Sequence, residues 1–295
     1  MNIQLSDHFN YKKLFLFTLP SVVMMVFTSV YCVVDGFFVS NFAGKTAFAA
    51  INLIMPFIMI LGGIGFMIGT GGSALVSYTL GTGDKEKANR YFSMLVYFTI
   101  LAGILLTVLG IIFVRPIAEL FGADESMMDT CVLYGRIVIA FNAAFMLQNI
   151  FQSFFVVAEK PRLGLIVTIA AGVTNMVLDA LFVGVFKWGI VGAALATGIS
   201  QSIGGLLPLL YFALPNNSPL QLTRTGFELA PLLKASSNGC SELMSNVASS
   251  LIGIVYNYQL MRLGGENAVA TYGVLMYIQF VFIAMFIGYS VGSAP

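Results

Sequence analysis

Apolar residues fill most of this chain in long blocks separated by short polar breaks, and the blocks are too long to be strands. Runs able to cross about 30 Å of hydrocarbon as helices lie at 14–40, 47–80, 91–114, 131–157, 163–186, 189–213, 235–261 and 267–294. The pattern predicts an all-α polytopic membrane protein with eight transmembrane helices. The first block follows Lys12 and Lys13, as a secretory signal would, but a signal's apolar core runs only about 7 to 15 residues. A retained first helix is expected.

Composition supports a lipid environment. Of 295 residues, 58% are hydrophobic and 9% charged, against roughly 25% charged in soluble domains. The net charge of +1 is carried by residues clustered at segment ends, so no basic face offers itself to nucleic acid. If the N-terminus is cytoplasmic, inside segments hold Lys12, Lys13, Lys85, Lys87, Arg90, Lys160, Arg162, Arg224 and Lys234. Outside segments hold Lys45, Arg115, Lys187 and Arg262. Nine against four favours that orientation. Cys32, Cys131 and Cys240 are odd in number and sit in or beside apolar runs, which predicts buried thiols without a disulfide or metal. His8 belongs to the polar leader and reads as a solvated side chain.

The longest polar stretch, 214–231, is rich in turn formers and reads as a linker. It divides six spans from two, which prompts a search for a repeat. Displaced by 221 residues, "AGKTAFAAINLIM" from Ala43 aligns with "GGENAVATYGVLM" from Gly264, matching Gly44 with Gly265 and Met55 with Met276; Gly71 then meets Gly292. The expected organisation is an N-lobe of six helices (1–213), a cytoplasmic linker (214–231) and the first two helices of a repeated C-lobe (232–295). A parallel repeat of six implies four further spans, so the chain is expected to be a truncated form.

Few ionisable groups lie within the spans: Asp35, Arg136, Asp179 and Glu242. A carboxylate at a helix centre costs about 2.5 to 3.5 kcal/mol on insertion scales and usually faces a bundle interior or aqueous path. Helices joined by a tight turn place residues equidistant from that turn at one depth. Asn149 and Asn175 lie level about the turn near 162, and Asp179 and Thr197 about the turn near 188. Tyr31 and Asp35, like Asn175 and Asp179, have i,i+4 spacing and share a helix face. Tyr31, Asp35, Asn149, Asn175, Asp179 and Thr197 are therefore expected to form one polar cluster. Gln148, Gln152 and Asn142 remain rivals to Asn149. The oxygens of Asp35, Asn175, Asp179 and Thr197 suit sodium. Two adjacent carboxyls suit a shared proton equally well.

Several stretches together carry a family resemblance: "LPSVVMMVFTSVYCVVDGFFVSNFAG", "LGTGDKEKA", "VVAEKPRLGL" and "TNMVLDALFV". With them the chain resembles the multidrug and toxic compound extrusion (MATE) family, in the branch similar to DinF and MepA proteins. The resemblance implies a secondary active antiporter that exports cationic or amphipathic small molecules in exchange for protons or sodium. Two six-helix lobes would alternate their access to either side. It implies a multi-pass protein of a bacterial or archaeal plasma membrane, monomeric, with lipid as its surroundings and no cofactor beyond the coupling ion. The family's N-lobe coupling cluster maps onto the six residues selected by depth. Glu242 resembles an acidic residue that some branches place in the C-lobe cavity. Pro20 resembles the bend of the family's first helix, although a plain packing kink is an equal reading.

Other signals are weaker. "GGIGFMIGTGGSAL" lacks the Gly-Lys-Ser/Thr ending of a phosphate loop, and Gly65 and Gly69 predict close helix packing. Asp84 is a candidate N-cap for the third span. The sequence contains neither HExxH nor GxSxG, which leaves an intramembrane hydrolase without support, so no enzyme is expected. The rivals to an exporter are a lipid-linked oligosaccharide flippase, which would call for several basic cavity residues, and a non-transporting membrane scaffold.

Overall fold

The computed structural model describes residues 10–293, so His8 lies outside the described residues. They form helices and connecting turns, with no strand among them. Helix α1 (Tyr11–Phe38) runs into a π-helical turn (Val39–Ala43). It is followed by α2 (Lys45–Gly81), α3 (Lys85–Leu120), α4 (Glu125–Ala140), α5 (Asn142–Val157) and α6 (Pro161–Asp179). A second π-helical turn (Ala180–Val185) precedes α7 (Gly189–Ala213) and α8 (Leu229–Ser293). Side-chain caps fix three starts. Asn10, Asp84 and Asp124 accept from the backbone N–H of Lys13, Lys87 and Met127 at 2.8, 3.0 and 3.0 Å.

The eight spans follow from these helices with two adjustments. The fourth span is α4 and α5 together, bent by 55° at Phe141, a break that neither Pro nor Gly announces in the sequence. Helix α8 is two spans meeting at Gly265, which has φ 60° and ψ −157°. We call the ends of the bundle proximal, where α1 begins, and distal, where Gly44 and Gly265 lie. Helix α3 is longer than the expected 91–114 and includes Arg115, which lies near Glu119 and Asp129. Of the three thiols expected to be buried, Cys131 is, and its Sγ donates to the Ala50 carbonyl at 3.5 Å. Cys240 is exposed and Cys32 partly so. Cys240 stands one position from Gly239, the residue that meets α2, and a one-residue step turns a side chain about 100° around the helix.

The repeat seen in the sequence has a structural counterpart. Gly44 has φ 95° and ψ 170°, so both matched glycines occupy a backbone region that only glycine enters readily. The part of α8 before Gly265 packs on α2, and the part after it packs on α1 and on the first turns of α2. Gly71 and Gly239 meet so closely that a Cβ on either would overlap the facing backbone. Their counterparts behave alike, since a Cβ on Gly292 would stand 3.1 Å from the Thr18 Cα. Gly273 is the counterpart of Asn52, and the Asn52 amide fills the place of its missing side chain. A residue that meets its own counterpart lies on the two-fold axis of the repeat.

Gly65 and Gly69 bring α2 against α5 as expected. Added Cβ atoms there would stand 2.8 and 3.1 Å from the Cα atoms of Met146 and Ile150. The stretch after α7 is not a free linker. The N–H groups of Gln221 and Thr223 donate to Asn89 Oδ1 (2.9 Å) and Ser93 Oγ (2.8 Å) of α3. Leu220 is buried in the proximal core around Phe92, Phe154 and Phe212. Helix α8 begins at Leu229, so Pro231 stands in its first turn, where a missing N–H costs nothing.

Candidate functional site

Helices α1 and α6 pack side by side, and glycine makes the approach. A Cβ on Gly172 would stand 2.6 Å from the rings of Phe27 and Tyr31. With Tyr31 seated there, Asp35 lies one turn further along α1. On α6, Asn175 and Asp179 continue the Gly172 face. Asp35 and Asp179 thereby come into direct carboxyl-to-carboxyl contact.

Both carboxyls and the Asn175 amide are buried. Asp35 Oδ1, Asn175 Oδ1 and both oxygens of Asp179 receive no hydrogen bond. Ionised carboxylates can only accept, so the pair can be held together only by a proton between them or by a cation. Four donor-less oxygens in one buried place amount to an unfilled demand for positive charge, because an unpaired buried charge is costly.

Tyr134 of α4 adds a fifth unmatched oxygen. Its phenol is buried, its Oη has no partner, and it lies within electrostatic reach of Asp35, Asp179 and Tyr277. Tyr277 comes from α8 and lies within the same reach of Asp35 and Cys32. Sequence reasoning missed both tyrosines.

Other expected members are placed differently. Tyr31 lies within interaction range of Gln148 and Thr28, so the structure brings Gln148, and not Asn149, to Tyr31. Asn149 is one residue further around α5, buried with its Nδ2 unpaired. Thr197 is half-buried on α7, where its carbonyl accepts from Ser200 at 2.8 Å. No hydrogen bond among the described residues ties its side chain to the pair.

Glu242 is half-buried on α8, and its carbonyl accepts from Asn246 at 2.9 Å. By the repeat it corresponds to Ser21, near the proximal end, whereas Asp35 corresponds to Tyr256. Glu242 is therefore about 20 Å, fourteen residues at 1.5 Å each, from the level of the pair. Pro20 stands within an unbroken α1 and lines a proximal cavity of about 1360 Å³ with Arg162, Tyr211 and Asn216. That cavity does not reach the carboxyls.

The π-helical turns add to the setting. Each starts just beyond a carboxylate, and the Val39 N–H donates to the carbonyls of both Asp35 and Gly36. The two turns touch each other, and such turns recur at functional sites.

The profile of the MatE family matches residues 20–181, more than half the chain and both carboxylates. This chain belongs to the MatE family. Among curated proteins, the multidrug export protein MepA of Staphylococcus saprophyticus is 25% identical over 90% of this MatE chain and 58% of its own length. The chain thus spans less than two thirds of that relative. Among solved structures, the inward-facing conformation of a multidrug resistance MATE family transporter of the MOP superfamily superposes with a TM-score of 0.82. Identity is 22%, covering 93% of this chain and 63% of that one. A crystal structure of MATE in complex with MaD3S gives 0.84 at 21% identity, over 95% and 64%. These neighbours show that the MatE fold is shared.

Proposed function

We propose that this MatE chain carries the ion-coupling part of a multidrug efflux antiporter, with the Asp35–Asp179 pair as the coupling site. The observation that supports it is the set of four buried, donor-less oxygens on Asp35, Asn175 and Asp179. A proton shared by the carboxyls would satisfy them, and so would a sodium ion held by these oxygens with Thr197 brought in from α7. Filled and emptied, the site favours different packings of α1 against α6 and α8. The ion gradient then biases which side the central path faces.

The names of the relatives support drugs as cargo, and cationic or amphipathic molecules are the class that exchanges naturally for a cation. In this reading residues 1–213 are the N-lobe and 232–295 belong to the C-lobe, with the N-terminus cytoplasmic in a bacterial plasma membrane. The protein acts as a monomer. Pro20 is a bending point of α1, and Glu242 meets cargo at the proximal end.

The exchange can be measured on the purified protein. Adding a cationic dye in weakly buffered solution should release protons, or displace sodium in sodium-containing buffer, and Asp179→Asn should abolish the release. Dye binding without any ion release in the wild-type protein would overturn the antiport reading.

A further inference from the structure

The two-fold repeat gives each contact between α8 and α1–α2 a counterpart, so a contact that differs from its counterpart marks a specialised place. Some contacts recur closely, as Gly71 against Gly239 does in Thr18 against Gly292. Tyr277 departs from this. Its counterpart, Pro56, has no hydroxyl, and the counterpart of Gly36 is Asn257, which donates to the Asn52 carbonyl at 3.1 Å. Tyr277 instead lays its ring and hydroxyl over Gly36, the neighbour of Asp35. A methyl on Gly36 would stand 3.0 Å from Cε2 and Cζ of Tyr277 and 3.2 Å from its Oη. Phe48 of α2 stacks on the same ring, 6.0 Å between centroids at 26°. The phenol is thus fixed beside Asp35 by residues of α1 and α2 while belonging to α8.

The geometry points to Tyr277 as the positioning residue through which α8 reads the state of the carboxyl pair. The inference rests on the antiport reading of that pair. While a proton or cation holds Asp35 to Asp179, Asp35 needs no further donor. When the site empties, Asp35 becomes a buried carboxylate, and the groups facing it are Tyr31 and Cys32 of α1, Tyr134 of α4, Asp179 of α6 and Tyr277 of α8. Tyr31 and Cys32 belong to the same helix as Asp35, and Tyr134 comes from α4. The Tyr277 hydroxyl is the donor that also draws the two lobes together. Emptying the site therefore tightens α8 on α1, and filling it releases that hold.

Tyr277→Phe removes only the hydroxyl. In proteoliposomes, dye transport is measured both down its own gradient and with an imposed proton or sodium gradient. The ratio of the two rates is expected to fall about tenfold, a usual size for coupling between sites. A packing defect would slow both modes together and leave the ratio intact. Gly36→Ala, which keeps the tyrosine but displaces its ring, should lower the ratio as well, and it decides the matter if Tyr277→Phe does not fold. A wild-type ratio in both variants overturns the role of Tyr277. Asp35→Asn, run alongside, separates the two failures: if it too keeps the wild-type ratio, the antiport reading itself is wrong.

Discussion

Asp35 and Asp179, brought from α1 and α6, meet carboxyl to carboxyl in a buried place where neither Asp179 oxygen has a donor. Such a site is costly to the fold. Replacing either residue by Asn supplies an N–H to the remaining carboxyl and removes one charge. Asp179→Asn should therefore raise thermal stability by about 1 kcal/mol, the net value of a hydrogen bond, while transport falls. A melting curve in detergent checks this, and a marked loss of stability would argue that the pair is structural.

The proximal seal between α2 and α8 is backbone against backbone. A Cβ on Gly239 would overlap the Met67 carbonyl oxygen, and one on Gly71 would overlap that of Ala235. No side-chain rotation relieves this, so Gly239→Ala should push the helices apart and destabilise by about 1 to 3 kcal/mol. The same change should make a single cysteine near the seal, placed at Thr70, react faster with a maleimide than it does in the unaltered background.

How far the site could be read from sequence depended on geometry along or around a helix. Gly44 and Gly265 revealed the repeat because a strained turn permits glycine and little else. Asp35 and Asp179 stood out because an ionisable group inside a span is costly, and i,i+4 spacing put Asn175 on the face of Asp179. Azimuth was not readable. One residue moves a side chain about 100° around a helix, and that step separates Gln148, which meets Tyr31, from Asn149. Tyr134 and Tyr277 arrive from helices that are not sequence neighbours of α1 or α6, so turn spacing said nothing of them. The π-helical turns and the bend at Phe141 leave the hydropathy pattern almost unchanged.

At the distal end Glu266 accepts from Thr46 at 3.0 Å and from Ser126 at 3.1 Å, joining α8 to the starts of α2 and α4. These contacts must break if the halves part on that side. Glu266→Ala should therefore increase modification of a cysteine placed at Asn52 by an impermeant reagent, with little change in melting temperature. An unchanged labelling rate would mean that the latch carries no load.

The 214–228 stretch is tied to α3 by Asn89 and Ser93 and by an Arg90–Glu228 ion pair of 2.9 Å. Both ion-pair partners are about half exposed, so Arg90→Ala should cost no more than about 1 kcal/mol. Asn89→Ala, which leaves the Gln221 N–H without its partner, should have the larger effect on hydrogen exchange in this segment. Equal protection in both variants would contradict the assignment.

The most direct test of the coupling site is efflux of a cationic dye from proteoliposomes with pH and sodium gradients imposed separately. The wild-type protein should respond to at least one gradient, and Asp35→Asn and Asp179→Asn should abolish that response at normal levels of inserted protein. Undiminished gradient-driven efflux in both variants would contradict the account.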